Sequence, residues 1–437
     1  MKQLIITALT TIMVSVSVSA QQLKFTEYDL KNGLHVILHE DKSAPIVAVS
    51  VMYHVGSKDE DPRRTGFAHF FEHLLFEGTE HMKRGEFMKI VSSNGGQNNA
   101  NTSQDRTFYY EIFPSNQLEL GLWLESERML HPKIDEVGVK TQNEVVKEEK
   151  RLRVDNSPYG KFTEKIFSNL FQGHPYSWQP IGSMAHLDEA KLSEFLTFFK
   201  KYYIPNNAVL VIAGDIDIHK SKALVEKYFS DIPAGPKVVK QVFELKPIKE
   251  QLIDTVYDAN IQVPAIFAAY RIPNMESRDN KVMGMISSLL SAGGSSRLSM
   301  KLVDTKKTAV NVSAFSFDME DHSAFITLAL PNKNTPLNDL LKDIDAEVEC
   351  LKIELISQKE LKKLQNQFEN NYVSVNSKMI GLAENLANGY TFKNKQTNAI
   401  NEELKIIQSI SAEEIRSVAQ KYLNHNERVI LYYLPQK

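Results

Sequence analysis

Two stretches of this chain repeat at an offset of 220 residues, and that self-similarity restricts the fold more than any other feature. KYYIPNNAVLV at 201–211 aligns without a gap with KYLNHNERVIL at 421–431, pairing Lys201 with Lys421, Tyr202 with Tyr422, Asn206 with Asn426 and Val209 with Val429. Each copy follows an acid-started helical pattern, LDEAKLSEFLTFFK or SAEEIRSVAQ, and runs into a β-rich segment, AVLVIAGD or RVILYYLP. A shared helix–turn–strand unit closing each half implies a duplication of about 220 residues. Length agrees, because 437 residues exceed the roughly 250–300 at which a single core stops growing. The expected class is α+β, twice over: two similar domains, each a mixed or antiparallel sheet packed with helices.

The first half opens with strand patterns, HVILHE after the turn Lys31-Asn32-Gly33 and the β-branched IVAVSVMYHVG between Pro45 and Gly56. IQVPAIFAAYRIP opens the second half in the same way, and PLNDLLKDIDAEVECLKIEL and SQKELKKLQNQFENNYVSV are helical patterns within it. Residues 231–251 hold three prolines and a lysine cluster and read as a linker, which divides the chain into 21–230 and 252–437. Residues 1–20 have Lys2, an apolar run from Leu4 to Val18 and small residues before Ala20, the pattern of a secretory signal cut after Ala20. That run is too short and too rich in Ser and Thr for a membrane span. The mature protein is therefore expected in the periplasm or outside the cell. Cys350 is the only cysteine, so there is no intrachain disulfide, and any metal must be held by His, Asp and Glu. A net charge of −3 lacks the basic excess of a nucleic-acid-binding protein.

The chemistry concentrates in GFAHFFEHLLFEGTEH, residues 66–81. Thr65 or the turn before it is expected to start a helix that Gly78 stops. On such a helix His69, Glu72 and His73 share one face, while Phe67, Phe70, Phe71, Leu74 and Leu75 bury it and keep water out. The order H-x-x-E-H is the inverzincin pattern. A solvated polar stripe could carry the same residues, and two imidazoles do not complete a catalytic zinc site, which takes three protein ligands. A second helical pattern, VGVKTQNEVVKEEKRLRVD at 137–155, offers acids at 144, 148 and 149. Among the other histidines, His35 and His39 lie on one strand face and are expected to be partly exposed. His54, His81, His131, His174, His186, His219, His322 and His425 share no element with an acid at ligand-like spacing and receive no role.

With these residues in place, the chain resembles the pitrilysin and mitochondrial-processing-peptidase family of zinc peptidases. GGQNNANTSQDRTFYYEIFP at 95–114, NSPYGK, HPYSWQPIGS and YYIPNNAVLVIAGD carry the likeness alongside HFFEH. It covers about residues 25–435 and is tighter in the first half. The resemblance implies a clamshell around unstructured peptide substrates and about one Zn²⁺ per chain. The ion would be held by His69, His73 and Glu149, the last 76 residues beyond His73, with Glu148 the weaker candidate and Glu72 the general base. It implies an edge strand that binds substrate backbone, with Asn99, Ala100 and Thr102 matching the family pattern. Gln142 stands where the family often has another acid, two turns before the ligand.

The resemblance also calls for an Arg and a Tyr, seven residues apart, beyond an SRL motif. Here Ser296-Arg297-Leu298 is present, but the two positions fall on Val303 and Val310. Three readings follow: a heterodimer in which a homologous chain supplies the pair, a homodimer using other donors such as Arg297 or tyrosines near the edge strand, and a weakly active or inactive scaffold subunit. They rank in that order. Related structural subunits of respiratory complexes lack an intact zinc set, whereas this chain carries all three ligands and the base.

Overall fold

The duplication read from the sequence appears as two sheets with matching strand order. A computed structural model describes residues 22–436, so the expected export signal at 1–20 lies outside the described residues. The first sheet contains β1 (Thr26–Asp29), β2 (His35–Glu40), β3 (Ile46–Tyr53), β4 (Gln97–Thr102), β5 (Thr107–Pro114) and β6 (Ala208–Gly214), arranged β1-β2-β6-β3-β5-β4. The second contains β7 (Leu252–Asp258), β8 (Ala265–Ile272), β9 (Ala309–Phe317), β10 (Ser323–Pro331) and β11 (Arg428–Pro435), arranged β7-β11-β8-β10-β9. In each half the last strand inserts between a parallel and an antiparallel neighbour: β6 between β2 and β3, β11 between β7 and β8. These are the strands that the 220-residue repeat feeds into. β4 and β9, at the far edges, are counterparts. Neither β1 nor β7 was legible beforehand, because both are short or half-exposed edge strands.

Between β3 and β4 come α1 (Phe67–Leu74) and α2 (Glu86–Ser93). Between β5 and β6 come α3 (Leu118–Leu130), α4 (Glu136–Lys150) and α5 (Phe162–Leu170), among other helices. Every residue of β6 is buried, as expected of a strand covered on both faces. Helices of its own half cover one face. The other is covered by helix Met379–Phe392 from the second half, whose Leu382, Ala383, Leu386 and Ala387 pack on Ile37, Met52, Val209 and Val211. The exchange is mutual: Ile166, Phe167 and Leu170 of α5 pack on Val256, Phe267, Val429 and Leu431 of the second sheet. Each half therefore completes the core of the other.

Residues 231–251 form no helix or strand, yet they are anchored. Lys240 donates to the Asp59 carboxylate at 2.9 and 3.0 Å, and Asn206 and Gly235 exchange two hydrogen bonds. Buried Lys58 pairs with Asp105, Glu320 and Asp321 at 3.0, 2.6 and 3.0 Å, joining the first half to the β9–β10 turn. His35 and His39 are buried, against expectation. The exchanged helix is the reason for His35: Tyr390 stacks on it at 3.5 Å, while Asp29 holds its Nδ1. His39 is covered by the N-terminal segment and bonds the Lys24 carbonyl.

Candidate metal centre

α1 starts where two glycines let three segments meet. Gly66 has φ +101° and lies against Ile181 and Gly182, and a Cβ on Gly182 would come within 2.3 Å of Gly66. The expected cap at Thr65 is thus replaced by Gly66, and the free N–H groups of the first turn go to a carboxylate in the loop just before the helix. Glu60 accepts from the Gly66 and Ala68 amides at 2.9 and 2.8 Å and from Trp178 Nε1 at 3.2 Å. Burial pushes its carboxyl up to about 8, against those three donors. The helix also ends a turn earlier than Gly78. After Leu74 the chain tightens, with the Phe76 and Glu77 amides bonding the His73 and Leu74 carbonyls. Arg84 and Gln142 then draw in the Glu77 side chain.

The aromatic face of α1 packs as expected. Phe67, Phe70 and Phe71 are buried against Phe195 and Phe198, and the Tyr109 hydroxyl donates to the Phe71 carbonyl at 2.9 Å. The opposite face presents His69, Glu72 and His73 to α4. Glu149 Oε2 lies 3.4 Å from His69 Nε2 and 3.0 Å from His73 Nε2. No hydrogen bond reaches this buried oxygen, although three lone-pair-bearing atoms converge within 4.8 Å of one another. That convergence suits a divalent cation with nitrogen and oxygen ligands. The two imidazoles hold the Glu149 carboxyl well below the usual range. Glu148 is exposed and pairs with Arg151 instead.

β4 runs beside this cluster as an edge strand, paired only with β5 among the described residues. The Thr102 hydroxyl donates to Glu72 Oε2 at 2.6 Å. The Ala100 amide donates to the Asn99 side-chain carbonyl at 2.9 Å. All three expected edge residues line an open cleft of about 1020 Å³ together with His69, Glu72, His73 and Glu149. Every residue lining that cleft belongs to the first half of the chain.

Gln142 bonds Glu77 and makes no hydrogen bond to His69, His73 or Glu149. Val303 packs against the second core and Val310 is exposed on edge strand β9; neither lines the cleft. Arg297 is engaged by Glu360 at 2.8 and 3.2 Å. Three residues of the site went unread in the sequence: Glu60, Trp178 and Arg153. Arg153 lies in the π-helical turn Arg151–Asp155 that prolongs α4, and its Nη1 is 2.7 Å from Glu149 Oε1. The i,i+4 spacing from Glu149 was its only signal.

Comparison with known proteins places the chain in a family. Residues 35–182 match the model described as Insulinase (Peptidase family M16), and residues 190–368 match that described as Peptidase M16 inactive domain. The zinc protease PqqE of Helicobacter pylori is 32% identical over 84% of this chain and 83% of its own. The chain belongs to peptidase family M16. Among solved structures, a protease from Helicobacter pylori superimposes with a TM-score of 0.89 at 29% identity, covering 94% of this chain and all of that one. The periplasmic protease PqqL from Escherichia coli shares the fold at TM-score 0.77 and 20% identity, with this chain spanning 47% of its length. The H-x-x-E-H cluster lies in the part matched by the first M16 model, and the SRL motif with the two valines in the part matched by the second. No helix among the described residues is long and apolar enough to cross a membrane.

Proposed function

We propose that this chain is a zinc-dependent endopeptidase of extended, unstructured peptides, exported to the periplasm or beyond, and that it works as the zinc-bearing subunit of a heterodimer. The observation that carries this reading is the meeting of Glu149 Oε2 with His69 Nε2 and His73 Nε2, with Glu72 one position away on the same helix face. Those three side chains would hold the ion. When bound, zinc supplies Lewis-acid activation of water and of the scissile carbonyl.

The remaining roles belong to the chain. Glu72 is placed to take a proton from the attacking water and return it to the leaving amine. Thr102 occupies one Glu72 oxygen and leaves the other for that transfer. A substrate in extended form adds to β4 through main-chain hydrogen bonds, exchanging the Asn99 cap on the Ala100 amide for its own carbonyl. Backbone recognition of this kind favours unfolded segments over particular side chains.

The partner reading rests on what the cleft lacks. Val303 and Val310 have no side-chain donors, and no second-half residue lines the cleft. A homologous chain carrying an Arg/Tyr pair would supply donors for the developing oxyanion. The scaffold reading rests on the same two valines.

Glu72→Gln tests the activity. The variant is expected to keep the zinc content of the wild type and lose hydrolysis of a quenched fluorescent peptide by about 10²–10⁴-fold. Full activity in this variant would remove Glu72 as the base. Full activity of the purified chain alone would remove the partner.

A further inference from the structure

The loop that follows α1 returns to the end of α3 and builds a second cluster of metal-ligating side chains there. His131 was assigned no role because no acid seemed to share its element, but Glu127 lies four residues before it on the last turn of α3. Their side chains meet: His131 Nδ1 is 3.1 Å from Glu127 Oε1. From the loop, His81 Nδ1 reaches the same carboxylate at 2.9 and 3.1 Å. The two rings stand at 89° with centroids 5.1 Å apart, so perpendicular imidazoles aim the same nitrogen at one buried carboxylate. Glu127 is 5% exposed, and Thr79, His81 and His131 all reach its carboxylate.

The cluster rests on a fixed frame. Glu80 N bonds the His131 carbonyl at 3.0 Å and Lys133 N bonds the Gly78 carbonyl at 2.9 Å. Thr79 Oγ1 donates to Glu127 Oε2 at 2.7 Å and accepts from the amides of His81 and Met82. The backbone therefore sets the distance between the two histidines before any ion binds. The side chains are two imidazoles and one carboxylate, a set that suits zinc and similar divalent transition metals. His81 is more than half exposed, which leaves the outer coordination positions to water.

We propose that His81, Glu127 and His131 form a second divalent transition-metal site, separate from the centre on α1 and weaker than it because His81 is solvent-exposed. Its occupation clamps the 75–85 loop to α3. That loop carries Glu77, which is bonded to Gln142 on the helix that bears Glu149, so the clamp braces the segment between the two ligand-bearing helices.

The test uses the full chain with the first site removed, His69→Ala/His73→Ala. Cobalt(II) added to this variant is expected to give the visible absorption of a four-coordinate nitrogen and oxygen site. Zinc at a hundredfold over its Kd is expected to raise Tm by roughly 4 °C. Adding His131→Ala should abolish both responses. In the otherwise native chain, His81→Ala should lower zinc uptake at saturation from about two ions to about one. A hydrogen-bonded cap with no metal affinity predicts no cobalt spectrum, no Tm shift and no change in zinc uptake on His81→Ala. Any of these, or a response that survives loss of His131, would overturn the proposal.

Discussion

Two side chains govern the residues that would touch the reaction. Thr102 donates to Glu72 Oε2 at 2.6 Å and fixes the rotamer of the base. Thr102→Val keeps the volume and removes the donor. It is expected to lower kcat by about 10-fold while zinc content and KM change little, the mark of a group that positions the base rather than binds substrate. Arg153 acts on the other carboxylate. Its charge is exposed, so its repulsion of a nearby cation is screened, and its main effect is to orient Glu149. Arg153→Ala should therefore weaken zinc affinity by about 10-fold, measured by competition with a chromophoric chelator. The clustering of His69, Glu72 and His73 was legible in HFFEH, because helix geometry links residues three and four apart, whereas Glu149 was reached only through the family resemblance. Thr102 was legible as an edge-strand residue but not as the partner of Glu72, and Glu60 and Trp178 were not legible as supports of α1, because only the folded chain brings the preceding loop and the Trp178 segment onto its first turn.

At the scale of elements, α3 is fixed to β5 by a fully buried cluster. Arg128 pairs with Glu111 at 3.0 Å and Glu125 at 2.9 Å, with the rings of Phe76, Phe87 and Tyr109 each 4.5 Å from its guanidinium carbon. Burial, with the like charge of Glu125, holds the Glu111 carboxyl well above its usual range. Arg128→Met leaves two carboxyls unpaired in the core and is expected to cost about 3–5 kcal/mol, read as a fall in the denaturant midpoint. Replacing all three residues by apolar ones of similar volume should cost less. Hydrophobic pattern found the central elements here, but it misplaced their ends. Gly78 looked like the stop for α1, whereas Glu77 is diverted to Arg84 and Gln142 and closes the helix earlier.

For the whole molecule, the duplication was legible because both copies keep the same helix–turn–strand unit, and the sheet orders follow it. The mutual exchange of α5 and helix Met379–Phe392 was not, since an amphipathic helix does not declare which half it will cover. The halves are also joined by charge. Despite burial, His54 and Lys58 depress the Glu320 carboxyl to about 2. A depressed carboxyl contributes stability that is fully present above its unfolded pKa, about 4.3 for a glutamate, and is lost as pH falls through the folded value. Glu320→Gln should thus lower Tm at pH 6 and matter progressively less from about pH 4 downward, as followed by thermal unfolding across that range. The account as a whole stands on the proposal that α1 and α4 hold a metal between them. A zinc-edge anomalous difference map from crystals of the native chain tests it most directly. The predicted result is a peak about 2.0–2.2 Å from His69 Nε2, His73 Nε2 and a Glu149 carboxylate oxygen; a map with no peak among these three side chains after zinc loading would contradict it.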